Sequence, residues 1–184
     1  MSKFKTPELI SDLKGKTESC IKEAKKLLKQ DLDTLNYKPN PETWSAAQCL
    51  DHLIQYGDFY LPEITSKIQE EDSLAVETFK SGFIGNMFAN SMLYKPNMTK
   101  MQSPGDKVPQ HTSYEKDIIN TFIEQQKEYL DLIKQSENIN LNKPKIRISI
   151  SKFVKLKLGD ALRVNIYHNE RHVLQALRAI KNAN

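Results

Sequence analysis

The sequence predicts an all-α fold, a four-helix bundle with long crossover connections. Three observations predict it. Apolar residues recur at helical spacing in four stretches. Three of those stretches open on residues suited to helix starts. About forty residues rich in Gly, Pro, Met and Asn, from Asp72 to His111, then separate the second stretch from the third.

The first helix is expected from Thr6-Pro7-Glu8, a cap residue, a proline at the first helical position and an acid facing the positive helix end. Leu9, Leu13, Cys20, Ala24, Leu27, Leu28 and Leu35 carry its period until Asn36-Tyr-Lys-Pro39 breaks it. The second starts near Ser45, where Ser45 and Gln48 have the spacing of a capping box. Its stripe runs Ala46, Leu50, Leu53, Gly57, Tyr60, Leu61, Ile64 and Ile68, and Pro62 within it predicts a kink or a break. A short Pro/Asn-rich turn between these two helices predicts antiparallel packing.

The third helix is expected from a second capping box, Thr112-Ser-Tyr-Glu115, burying Ile118, Ile119, Phe122, Ile123, Tyr129, Leu130 and Ile133. The fourth runs from about Leu158 to Ile180. Residues Lys145 to Lys157 alternate in part, but no partner strand is evident, so a loop crossing the bundle end is expected there. The 184 residues are read as one domain, 1–184.

Composition excludes some classes. No apolar run approaches membrane-spanning length, and Met-Ser-Lys-Phe-Lys-Thr-Pro-Glu lacks the apolar core of a signal peptide. With two cysteines, Cys20 and Cys49, and no CxxC pattern, a cytoplasmic protein with reduced thiols and no membrane partner is expected. The net charge is +4. Lysines cluster from Lys14 to Lys29 and from Lys143 to Lys157, and those of the first cluster alternate with apolar residues as on a solvated helix face. Nucleic acid is therefore not the expected partner.

Three of the four histidines form the candidate site. His168 and His172 stand four apart on the last helix, so both imidazoles reach a common point. His52 follows Trp44-Ser-Ala-Ala-Gln-Cys-Leu-Asp on the second. Three neutral imidazoles suit zinc or another borderline divalent ion and leave a coordination position open. A ligating imidazole commonly donates its second N–H to an oxygen, and Gln48, Tyr56, Asn165 and Gln175 are the candidate partners. Gln48 is equally explained by its capping box, Cys49 by core packing and His111 by a surface or capping role.

Trp44-Ser-Ala-Ala-Gln-Cys-Leu-Asp-His52-Leu, followed far downstream by His168-Asn-Glu-Arg-His172-Val-Leu-Gln, resembles the DinB-like (DinB/YfiT-type) superfamily. Ser81-Gly-Phe-Ile-Gly-Asn-Met-Phe and Lys-Val-Pro109 look like the crossover of one subgroup. The resemblance covers nearly the whole chain. It implies an up-down-down-up bundle, frequently a homodimer, with a divalent metal on His52, His168 and His172. Zinc or nickel is the expected ion, with manganese and iron as alternatives. Characterised relatives include thiol-dependent S-transferases and a thiol-dependent isomerase. The resemblance thus implies a small-molecule substrate and a low-molecular-weight thiol, with metal-dependent hydrolysis as the other route. A non-catalytic binding bundle with a structural or vestigial metal is the alternative. Asp51, Glu63 and Glu170 read as solvated helix charges, and Phe83, Met87, Phe88, Met92 and Met98 as a pocket wall, a dimer face or core.

Overall fold

The computed structural model describes residues 2–95 and 107–183, and in these the chain is mostly helical. Four long helices dominate: α1 (Thr6–Leu27), α3 (Ala46–Gln69), α5 (Asp117–Gln135) and α6 (Leu158–Lys181). Two shorter ones are α2 (Leu32–Asn36) and α4 (Phe83–Met92). Strands β1 (Lys3–Lys5) and β2 (Thr78–Lys80) pair antiparallel, as do β3 (Lys145–Ile148) and β4 (Ser151–Lys157).

Several expectations need correction. The first helix stops at Leu27, and Leu35 belongs to the separate α2, which is capped by the Asp31 carboxylate accepting from the Thr34 amide. Thr6 is not the cap: Lys5 holds that position, and the Thr6 hydroxyl donates to the Val76 carbonyl. The connection from α1 to α3 is thus long enough to let α3 cross the bundle. Accordingly α1 packs against α5 and α6, and α3 packs against the same two. Helix α3 runs unbroken through Pro62, with apolar residues buried on both sides of it. Packing over so long a face outweighs the one hydrogen bond that proline removes.

The box at Thr112–Glu115 does not start α5, which begins at Asp117 without a side-chain cap. Instead Tyr114 is tied elsewhere, its amide donating to Asn36 Oδ1 and its hydroxyl to Asp51 Oδ2. Residues 145–157 form a hairpin rather than a loop, with Ile146 and Ile148 of β3 and Leu156 of β4 buried. The missing partner strand lay within the same alternating segment.

The crossover is anchored on α6 by a buried polar knot. Asp160, fully buried, accepts from the Ser81 hydroxyl and the Gly82 amide (2.8 Å) and pairs with buried Arg163 (3.2 Å). Gly85 of α4 lies so close that an added Cβ would stand 2.4 Å from the Asp160 carboxyl carbon.

The core divides into two apolar clusters. One contains Leu13 of α1, Tyr60 of α3, Tyr129 of α5 and Leu162 of α6. The other contains Cys20, Leu50, Phe122 and Val173 of the same helices. Between them each long helix buries polar residues: Thr17, His52, Gln125 with Gln126, and Asn165 with His168 and Asn169. A polar group buried at this depth is costly without a partner, so a whole polar layer signals a use.

Candidate metal centre

The histidines occupy that layer. The Ser45–Gln48 capping box forms as the spacing predicts, and it fixes the start of α3 about one and two-thirds turns before His52. His168 and His172 lie one turn apart on α6. Their ring centroids are 4.6 Å apart, and those of His52 lie 4.9 Å from His168 and 4.7 Å from His172. One nitrogen from each ring falls within 4.8 Å of the others. His52 and His168 are buried, and His172 is only partly exposed.

The orientation of the rings bears on the chemistry. His52 Nδ1 lies 2.6 Å from the Lys107 carbonyl oxygen, a pure acceptor, so Nδ1 carries the proton and Nε2 presents a lone pair. That Nε2 stands 3.1 Å from Nε2 of His168. His172 Nδ1 lies 2.9 Å from Gln175 Oε1, which likewise turns the lone pair of its other nitrogen inward. Nitrogens bound at about 2.1 Å to one ion with near-tetrahedral angles stand about 3.4 Å apart, close to the 3.1 Å between His52 and His168, and a nitrogen of the third ring lies within 4.8 Å of both. The residues therefore fit a divalent cation.

Burial first, and for His168 and His172 the facing rings and then Arg171, keep the imidazoles neutral. Desolvation pulls His52 down to about 4, against the rise caused by its Lys107 hydrogen bond. Burial and the other two rings hold His168 well below its ordinary value. Burial, then His52 and Arg171, do the same to His172. Neutral imidazole is the form that ligates metal.

The other expected partners are placed variously. Gln175 meets His172, and Tyr56 sets its ring edge-on against His52 (4.9 Å) and His168 (4.7 Å). Gln48 uses its amide on the cap and on the His111 carbonyl (3.0 Å). Asn165 donates to the Ala161 carbonyl and accepts from Tyr129 at 3.3 Å. Cys49 is core, its thiol pushed up to about 12 by burial. His111 is exposed. Phe83 and Met87 face solvent, Phe88 and Met92 pack on the core, and Met98 lies outside the described residues.

A match to known proteins agrees with this arrangement. A family model described as the DinB superfamily matches residues 18–176. The chain belongs to the DinB superfamily. No curated protein and no solved structure gives a significant match. Membership and a three-histidine cluster together fit a metal-binding enzyme. Among the described residues no helix is long and apolar enough to cross a membrane.

Two features of this DinB site were not anticipated from sequence. The Lys107 carbonyl is a backbone group and leaves no compositional trace. Trp44 lies 4.8 Å from His52 and 5.8 Å from His172, walling the ring faces, and its place in the Trp-Ser-x-x-Gln motif was the available signal.

Proposed function

We propose that this protein holds a divalent metal on His52, His168 and His172 and acts on a small molecule, as a thiol-dependent S-transferase. The observation that carries the reading is the pair of Nε2 atoms 3.1 Å apart, one of them deprotonated by its ring's bond to Lys107. Zinc and nickel suit the donors best. A bound divalent ion supplies Lewis acidity and brings a thiol or water ligand into the physiological pKa range.

The chain's own residues do the rest. Lys107 and Gln175 aim the imidazoles, while Trp44 and Tyr56 shield the rings from water. Three acids on α3 and α6 are engaged elsewhere. Asp51 accepts from Gln55, Gln110 and Tyr114, Glu63 holds Arg147, and Glu170 holds Lys16. Neither thiolate nor hydroxide attack needs a protein base once the ligand is deprotonated, so the resemblance to thiol-dependent members of the superfamily is what favours transfer over hydrolysis.

Metal content of protein purified without a histidine tag, wild type against His168→Ala, tests the proposal. Near-stoichiometric metal in the wild type and its loss in the variant support it, and thiol-transfer and hydrolysis screens then choose the reaction. No metal in either, even after reconstitution, sinks it.

A further inference from the structure

The two small sheets make an unusual surface. In an antiparallel pair, like charges directly opposite one another repel, so sheets avoid them. Here three cross-strand partners are cationic on both sides: Lys3 with Lys80, Lys145 with Lys157, and Arg147 with Lys155. The sheets form one patch, because the Lys157 ammonium donates to the Lys80 carbonyl at 2.6 Å. Glu63 answers Arg147 (2.7 Å). Among the described residues, no carboxylate lies within ion-pair distance of Lys3, Lys80, Lys145, Lys155 or Lys157.

Large apolar side chains stand beside this charge. Phe153 alternates with Lys155 and Lys157 on the outward face of β4 and is 97% exposed. Ile150, at the hairpin reversal, is 54% exposed. Helix α4, which packs alongside β4, adds Phe83 (78%), Ile84 and Met87. Exposed aromatic and aliphatic groups set among lysines match a surface that is anionic outside and apolar just beneath. Nucleic acid would use the lysines and stack on an aromatic ring, but it offers nothing to Ile150, Ile84 or Met87.

We infer that the β3–β4 hairpin, with β1, β2 and the outer face of α4, docks this protein reversibly on an anionic lipid surface. Lysine ammoniums meet the headgroups, and Phe153 and Ile150 enter the headgroup–acyl boundary. This is surface association and needs no spanning segment. It is independent of the metal reading.

Flotation of the full-length protein with phosphatidylcholine vesicles, with and without 30% phosphatidylserine (roughly the charge of an anionic leaflet), provides the test. The expected result is binding to the anionic vesicles alone, weakening as salt rises. Each lysine neutralised, Lys145→Gln or Lys155→Gln, lowers the partition coefficient about fivefold. Phe153→Ser lowers it by a similar factor or more, whereas Lys22→Gln on α1 leaves it unchanged. All these positions are exposed, and circular dichroism checks their folding. Equal binding to both vesicles, binding to neither, or indifference to Lys155→Gln and Phe153→Ser overturns the inference. So does retention on immobilised DNA, or a dimer that Phe153→Ser dissociates, when vesicles are not bound.

Discussion

His52 on α3 donates from Nδ1 to the carbonyl of Lys107, so a ring in the bundle is aimed by the backbone of the crossover. Loosening that backbone should weaken the centre without touching a ligand. Pro109→Gly, two residues on, is expected to reduce metal affinity by about tenfold, the range found for supporting groups around ligating histidines. Titration against a chelator of known affinity measures it, and unchanged affinity would show that the carbonyl is incidental.

Acid should destabilise the metal-free protein in a defined window. The unfolded imidazole titrates near 6.5, whereas His52 falls to about 4 and the other two are also lowered. The unfolded state therefore binds more protons below pH 6.5. Stability is fully present above that pH and is lost as pH falls towards 4, by up to about 1.4 kcal/mol per pH unit for each histidine. Urea melts of metal-free protein at pH 7.5, 6 and 5 read the loss. The triple variant His52→Gln/His168→Gln/His172→Gln should flatten this dependence.

Asp160→Ala should destabilise the fold by about 3–5 kcal/mol, because it leaves the Arg163 guanidinium buried without its charge partner. Gly85→Ala should cost about 1–3 kcal/mol, since the new methyl and the Asp160 carboxyl cannot share the space. Chemical denaturation measures both. A loss below about 1 kcal/mol for Asp160→Ala would show that the knot relaxes into water.

Trp44 is the single tryptophan and lies against two of the histidines. Nickel titrated into metal-free protein should quench its emission saturably, to an end point at one ion per chain. His168→Ala should abolish the response. An unsaturable response in both proteins would mean binding elsewhere.

The helices and the His168–His172 pair were legible because each depends on spacing along a single element, whereas His52 was tied to them through its motif. Leu50, Leu53 and Ile64 fall on the buried face that their period predicts, and Ser45 with Gln48 forms the box that its spacing predicts. The superfamily was legible too, since its motifs sit at an N-cap and on one helix face. What escaped notice depends on partners remote in sequence or on the backbone. The β3–β4 hairpin reverses without an Asn-Gly or Asp-Gly signal, and its register shifts between Arg147 and Ile148. Thr112 and Glu115 have cap spacing, but Asn36 and Asp51 hold Tyr114 between them and delay the helix. Gln125, Gln126 and Asn169 read as ordinary helix polars. Only the packed bundle shows that they share one buried layer with the histidines.

The distance along the chain between the rings has a consequence for when a metal can be acquired. His52 and His168 are 116 residues apart, and His172 lies further on in the last helix. A ribosome-bound chain exposes the tryptophan motif and the crossover long before it can close the centre. On the proposed reading the ion is therefore selected only after α6 has docked. What it then carries reflects the exchangeable ions around the finished bundle rather than those met during synthesis.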